Sequence, residues 1–379
     1  MKNITVMLKP ASSLCNMRCK YCFYTDISSQ RQYSSYGIMP TDTLDRILEN
    51  IFSGMQSGDL LNLVFQGGEP TLAGLSFFQH LVDWVASHNQ RGIQVSYALQ
   101  TNGLVLDDQW CRFLKKHRFL VGLSLDGPAQ YHNANRIDAA GNETFQAVLA
   151  AKNRMDQYGV PYNVLMVLTN SLARHPQQIW RFLLEQNIRY VQFVPCLGPL
   201  SKEESRCALT PSRYASFYRC VFDEWLKYYR QGRYISIKLI DDLVNLLAFG
   251  QCNACGLLGF CQPQLVVESD GSVYPCDFYV LDAFCTGNLA QMPLVQVMAS
   301  PVAESYLHRP RGEMPLCAGC PYVRICGGGC RRMQQEVFHT ASGKVCGHRL
   351  FLDHAIVPLR QLAHDSRNFF SQQKMISNL

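Results

Sequence analysis

The stretch ITVMLKPASSLCNMRCKYCFY, residues 4–24, carries most of the information about the fold. It opens with a short apolar strand, Ile4–Leu8, which Lys9 and Pro10 interrupt. The loop that follows places its cysteines as Cys15-x3-Cys19-x2-Cys22. Three thiolates are one short of a closed tetrahedral shell or a fully protein-held cubane. A cubane held by three leaves one iron open to an outside ligand, as a catalytic zinc keeps one position free. The loop leaves the carboxyl end of a strand, where barrel enzymes gather their active sites. A zinc knuckle is the other reading of the spacing alone.

Working outward, the strand-then-loop unit repeats. Leu61–Phe65, Gln94–Leu99, Leu120–Leu125, Tyr162–Leu168 and Tyr190–Val194 are short and apolar, and each reads as a buried parallel strand. Amphipathic stretches lie between them: Thr41–Ser53, Leu75–His88, Asp107–His117, Glu143–Tyr158 and His175–Glu185. Thr41 and Asp107 suit helix starts and Gly159 a stop. Six β–α repeats imply a parallel sheet with right-handed crossovers. The expected fold is α/β, an open, partial (β/α)6 TIM-like barrel; periodicity leaves a doubly wound sheet as the alternative. Beyond Pro199 the pattern changes. Ser212–Gln231 and Ile237–Phe249 read as helices bridging to a second region rich in Cys, Gly and Pro. There Leu265–Glu268 and Ser272–Tyr274 flank an Asp270-Gly271 turn, a hairpin signal. Leu350–Phe370 reads as a closing helix. The boundary is placed between residues 235 and 236.

Composition bounds the function. A hydrophobic share of 47% and a charged share of 17% are ordinary for a globular chain and exclude wholesale disorder. No apolar run approaches the roughly 18 residues of a membrane span, and no signal-peptide core forms before Lys9-Pro10, so the chain reads as cytoplasmic with no membrane partner. The net charge of +6 is mild and forms no basic tract, which argues against nucleic acid. The 17 cysteines are an odd number in a long chain without an export signal, a pattern that points to metal or redox chemistry.

Further motifs end the later strands. Gln66-Gly67-Gly68-Glu69-Pro70 follows the second; paired glycines let backbone approach a ligand closely. Gln100-Thr101-Asn102-Gly103 follows the third and Ser124-Leu125-Asp126-Gly127 the fourth, where plain turn roles for Asn102 and Asp126 weigh equally. Tyr21, Phe23 and Tyr24 crowd the cysteine loop. Downstream lie Cys255-x5-Cys261, then Cys276, then Cys317-x2-Cys320-x5-Cys326-x3-Cys330 and Cys346, enough for two sets of four. Zinc is again the competing reading, and Cys252 could exchange roles with Cys255. Cys111, Cys196, Cys207, Cys220 and Cys285 read as small hydrophobes or unligated thiols.

The cysteine loop with its aromatic neighbours resembles the radical S-adenosylmethionine (SAM) superfamily, and the later cysteines resemble its SPASM extension, hairpin glycine included. Lys9–Ser13, Phe65–Leu75, Val266–Asp282 and Gly328–Arg332 are similar to the anaerobic sulfatase-maturating enzymes, a resemblance running from residue 5 to about 350. The resemblance implies a radical SAM barrel over 1–235 and a SPASM domain over 236–379. It implies three [4Fe–4S] clusters: one on Cys15, Cys19 and Cys22, one on Cys255, Cys261, Cys276 and Cys330, and one on Cys317, Cys320, Cys326 and Cys346. SAM would be held by Tyr21, Tyr24, Gly67, Gly68, Glu69, Ser124, Arg136 and Leu197. Gln66 would touch substrate and Asp277 would be the general base. The implied reaction oxidises Cβ of a Cys or Ser in a sulfatase motif, Cys/Ser-x-Pro/Ala-x-Arg, to Cα-formylglycine, with electrons from a flavodoxin- or ferredoxin-type donor. One rival is a SPASM maturase that crosslinks a ribosomal peptide; no precursor-recognition segment precedes the first strand, which weighs against it. A zinc-binding interaction protein and a ferredoxin-like electron carrier are the others. About twelve irons per chain would exclude zinc, and the carrier leaves Gly67–Pro70 unexplained.

Overall fold

In the computed structural model, which describes residues 2–376 apart from 202–204, 253, 263, 310–313 and 341–342, six parallel strands follow one another across a sheet. They are β1 (Asn3–Leu8), β2 (Leu60–Phe65), β3 (Gln94–Thr101), β4 (Leu120–Ser124), β5 (Tyr162–Leu168) and β6 (Tyr190–Pro195). A doubly wound sheet reverses its strand order at a switch point. Here β1 to β6 run in sequence without reversal, so the barrel-type alternative holds.

Each strand buries one side. Val6 and Leu8, then Leu61, Leu63 and Phe65, then Val164, Met166 and Leu168 are sealed against the helices, whose Leu44, Ile47, Leu48, Phe78 and Leu81 complete the core. Each such side chain contributes about 1.5–3 kcal/mol on burial. The alternate residues, Asn62, Gln66, Gln100, Ser124, Asn163 and Gln192, are only half-buried. The expectation of strands buried on both faces is therefore corrected. Eight strands close a lumen narrow enough for side chains to fill; six in an open arc leave an inner face where these polar groups stand among half-buried apolar ones such as Met7, Val64 and Val167.

The sheet continues past both ends of this arc. β7 (Ser236–Ile237) pairs with β6, while β8 (Leu265–Val267), β9 (Ser272–Tyr274) and β10 (Gly287–Asn288) extend it beyond β1, giving ten strands among the described residues. β8 lies parallel to β1, with Val6 opposite Leu265 and Leu8 opposite Val267. The predicted hairpin is present, and Gly271 takes φ +89° at its turn, where a Cβ would lie 2.5 Å from Asn288 Oδ1. The boundary expected at 235/236 thus falls just before a strand that still belongs to the sheet. Helices Pro211–Arg230 and Lys238–Phe249 pack against the C-terminal helix Gly347–Ile376. Short helices at Phe23–Ser29 and Ala129–Asn135 were not anticipated. Among the described residues, no helix is long and apolar enough to cross a membrane.

Candidate active site at the carboxyl ends of the strands

The loop bearing Cys15, Cys19 and Cys22 is braced from two sides. Gly68 N–H donates to Ser12 O (2.9 Å) and Glu69 N–H to Leu14 O (2.8 Å). From the other side Arg18 N–H donates to Ile137 O and Lys20 N–H to Asn135 O. A Cβ on Gly68 would stand 2.1 Å from Leu14 O. The glycine pair is thus used to seat the cysteine loop against β2. Glu69 is buried, and donors of the protein take both its oxygens: Thr71 N–H and O–H and the Thr101 hydroxyl on Oε1, Asn102 N–H on Oε2 at 2.7 Å. Asn102 in turn donates to Asn16 Oδ1 at 2.7 Å. Glu69 and Asn102 therefore join the ends of β2 and β3 to the loop.

Burial pushes the Cys15 thiol up to about 11, with Cys19 and Cys22 adding to the rise. Burial also raises Cys19. Thiols that oppose one another's ionisation in this way suit a shared cationic group, which relieves the repulsion. Among the described residues no three His, Cys, Asp or Glu side chains are placed to hold a single metal ion.

Beside them, Tyr21 O–H donates to Asp126 and Arg136 Nη1 donates to Tyr21 Oη at 3.0 Å. Burial works against the charge on Arg136, but Tyr21, Cys19 and Asp126 outweigh it and hold the guanidinium well above its ordinary pKa. Arg136 Nε is buried without a partner among the described residues. An unspent donor beside the cysteine loop suits a ligand carboxylate. Ser124 Oγ accepts from Gln100 Nε2 at 2.9 Å on the inner face, and Leu197 is half-buried just beyond β6. Asp126 and Asn102 are central here and were not singled out from the sequence. The signal was their place at strand ends, which a turn role explained equally well.

A second polar group forms one step along the mouth. Leu8 lies opposite both Phe65 and Val267, so the next residues of the three chains, Lys9, Gln66 and Glu268, come side by side. Glu268 is sealed from solvent between Lys9 Nζ (3.2 Å) and Arg31 Nη1 (2.6 Å). Lys9 Nζ also lies 4.8 Å from the Tyr24 ring centroid. Asp277, 7% exposed, accepts on Oδ2 from Tyr24 O–H (2.6 Å) and Gln66 Nε2 (3.0 Å). Gln66 Nε2 also donates to Tyr24 Oη at 2.7 Å. Asp277 Oδ1 is buried with no partner among the described residues. Burial lifts the Asp277 carboxyl above its ordinary value, while Lys9 and the Tyr24 hydroxyl draw it back. Tyr24, expected among the SAM contacts, stands with Asp277 and Gln66.

Eight of the remaining cysteines fall into two groups. Cys317, Cys320, Cys326 and Cys346 line one small cavity with Phe338 and His348. Cys330 lies within the field of Cys255 and Cys261, and Cys276 within that of Cys330. Burial pushes the Cys276 thiol up to about 12. The interleaving has a backbone cause: Gly259 and Gly327 touch so closely that a Cβ on Gly259 would lie 2.1 Å from Gly327 O. That contact draws the segment between Cys326 and Cys330 onto the one between Cys255 and Cys261. Four thiols around one cavity are the donor set a cubane takes. The charged groups around Cys252 are Asp242 and Lys238. Cys111 and Cys196 are buried, while Cys207, Cys220, Cys252 and Cys285 are half-buried.

Comparison with known proteins gives this geometry a family. A profile described as Radical SAM superfamily matches residues 10–182, and one described as Iron-sulfur cluster-binding domain matches residues 260–321. The chain is 39% identical over 338 residues to a cysteine-type anaerobic sulfatase-maturating enzyme of Clostridium perfringens, covering 89% of this chain and 91% of that one. The chain belongs to the anaerobic sulfatase-maturating enzymes. A serine-type anaerobic sulfatase-maturating enzyme of Klebsiella pneumoniae is 28% identical over 367 residues, 95% of this chain and 89% of that one. The solved structure of native anSMEcpe with bound AdoMet and Cp18Cys peptide superposes with a TM-score of 0.88 at 35% identity, covering 96% of this chain and 99% of that one. As an anaerobic sulfatase-maturating enzyme, the chain is a radical SAM oxidoreductase with [4Fe–4S] clusters, auxiliary ones included.

Proposed function

We propose that this chain oxidises a Cys or Ser residue of a sulfatase polypeptide to Cα-formylglycine, with Asp277 as the base. The observation that carries the reading is Asp277 Oδ1, a carboxylate oxygen withdrawn from solvent and without a donor among the described residues. Its partner oxygen is held by Tyr24 and Gln66, so the carboxylate cannot rotate freely and Oδ1 is the atom left for a substrate S–H or O–H.

When bound, the cluster on Cys15, Cys19 and Cys22 together with SAM supplies a 5′-deoxyadenosyl radical that takes a hydrogen from Cβ of the target residue. Gly67, Gly68 and Glu69 set the loop that holds those cysteines. Arg136 and Ser124 would meet the carboxylate and ribose of SAM, with Leu197 against its adenine and Tyr21 fixing Arg136. Gln66 would orient the target side chain and Asp277 Oδ1 would take its proton, the remaining electron passing to the nearest auxiliary cluster; with a Cys target, water would then replace the sulfur, which leaves as hydrogen sulfide. Cys255, Cys261, Cys276 and Cys330 would hold one auxiliary cluster, and Cys317, Cys320, Cys326 and Cys346 the other. In this reading residues 1–235 handle SAM and residues 236–379 bring the auxiliary clusters and the base. The peptide would carry Cys/Ser-x-Pro/Ala-x-Arg, and a flavodoxin- or ferredoxin-type protein would supply electrons. A reducing cytoplasm suits so many cysteines.

The test is anaerobic incubation of the iron-reconstituted chain with SAM, a reductant and a peptide bearing Cys-x-Pro-x-Arg, read by mass. The Cys-type relatives align at higher identity, so that peptide is tried before its Ser counterpart. A loss of about 18 Da from cysteine, or of about 2 Da from serine, marks the aldehyde. Formation of 5′-deoxyadenosine with neither peptide altered in this way would refute the formylglycine reading.

A further inference from the structure

Helix Pro301–His308 packs on the turn Asp282–Phe284 that follows Asp277, and its Tyr306 is only 3% exposed. The Tyr306 hydroxyl and the Cys276 sulfur are neighbours that act on each other's ionisation, and Cys261 lies within the same field. Arg309 completes the arrangement. Its Nη2 donates to Tyr306 Oη at 3.3 Å, and its guanidinium carbon lies 4.1 Å from the Tyr306 ring centroid and 4.6 Å from that of Tyr279. Arginine offers donors and no acceptor. The Tyr306 oxygen must therefore accept from Arg309, which leaves its single proton for the sulfur. Phe284 and Tyr279 fix the ring from its edges at 5.4 and 5.8 Å. Ring, hydroxyl and cation are thus held in one orientation, toward two of the four cysteines of one set.

We infer that Tyr306 and Arg309 are tuning residues that raise the reduction potential of the auxiliary cluster held by Cys255, Cys261, Cys276 and Cys330. One-electron reduction adds a negative charge to a buried group. A hydrogen bond to a ligand sulfur and a cation a few ångströms beyond it both stabilise the reduced form, and burial weakens the screening that would blunt them. Cys276 adjoins Asp277, so this set is the one nearest the base and best placed to accept an electron there. The inference rests on the assignment of that cysteine set to a cluster, as proposed above; neither SAM nor peptide enters the test.

The experiment titrates the full-length, iron-reconstituted chain under anaerobic conditions with redox mediators and follows the reduced clusters by electron paramagnetic resonance. Cys15, Cys19 and Cys22 are replaced by Ala in every sample, so that only the auxiliary clusters respond. Tyr306→Phe keeps the ring packing and removes the hydroxyl. It should move one component, and leave the other in place, by about tenfold in the reduced-to-oxidised ratio at fixed potential, about 59 mV downward for one electron. Arg309→Met, which keeps the contact between hydroxyl and sulfur, should move the same component in the same direction. Curves that superpose on the parent, with iron content unchanged, would overturn the inference, as would an upward shift. Should Tyr306→Phe lose iron, Arg309→Met decides alone, and an unmoved component counts against the proposal. A shifted potential with no aldehyde in the peptide assay would sink the formylglycine reading and leave this one standing; aldehyde with an unmoved potential would do the reverse.

Discussion

Single residues here divide into those that carry chemistry and those that carry charge for the fold. Asp277→Asn keeps the shape and the Tyr24 contact but removes the basic oxygen. 5′-Deoxyadenosine should still form while formylglycine yield falls by about 10²-fold or more, the usual weight of a general base; chromatography of the nucleoside beside peptide mass measures both, and an unchanged yield would remove Asp277 from the base role. Glu268 belongs to the second kind. Burial would raise its pKa, but Lys9 and Arg31 hold it below the ordinary value. A carboxylate depressed in the folded state stabilises fully above its unfolded pKa, near 4.5, and that stability fades as pH falls through the lower folded value. Glu268→Gln strands two buried cations, Lys9 and Arg31. The expected cost is about 3–5 kcal/mol in urea unfolding at neutral pH, with a flatter loss of stability on acidification than the parent shows. A cost within experimental error would mean that solvent or a rearranged partner replaces the carboxylate.

At the scale of elements, the contact between the end of β2 and the cysteine loop is the joint on which the first cluster depends. Gly68→Ala drives a methyl into the Leu14 carbonyl, and backbone cannot step aside as a flexible side chain can. The variant should lose about four of about twelve irons and all SAM cleavage. Gly54→Ala, whose Cβ would meet only ordinary contacts at 3.6 Å, should lose neither. Iron analysis compares them, and a fully loaded Gly68→Ala would show that the loop seats elsewhere. The six strands and the longer helices up to Arg230 were readable within a residue or two because each has its own periodicity, helped at one start by Asp107, which accepts from Trp110 N–H; the seven-residue helices Phe23–Ser29 and Ala129–Asn135 are too short to show one. The two-residue strands β7 and β10 were not readable, since two residues carry no period. Nor was the meeting of Gln66, Tyr24 and Asp277. It depends on β8 choosing β1 as its neighbour some 250 residues away, and a local pattern says nothing about that choice. The sequence marked Asp277 through family resemblance; the register of three strands explains its surroundings.

On the scale of the whole molecule, the hairpin that delivers Asp277 is not separable from the barrel. A two-stranded ribbon is marginal alone in water. β8 and β9 bury Val266, Val267, Val273 and Tyr274 only because β1 and Ile27 cover them. At the other end β7 ties Ile237 to β6, and helix Lys238–Phe249 continues directly from it into the packing around Gly347–Ile376. Cysteine-rich segment and barrel should therefore unfold together despite the length of the chain. The four tryptophans, Trp84, Trp110, Trp180 and Trp225, are all buried in the first 230 residues and report on the barrel. Eight of the eleven proposed ligand cysteines lie between residues 255 and 346, so the visible iron–sulfur absorbance reports mainly on the other region. In anaerobic urea titrations the two signals should change over one common transition, the mark of a single cooperative unit. If absorbance is lost at a clearly lower urea concentration while tryptophan emission stays native, the pairing of β8 with β1 contributes too little to couple the regions. Asp277 would then reach Tyr24 and Gln66 only when the clusters are in place.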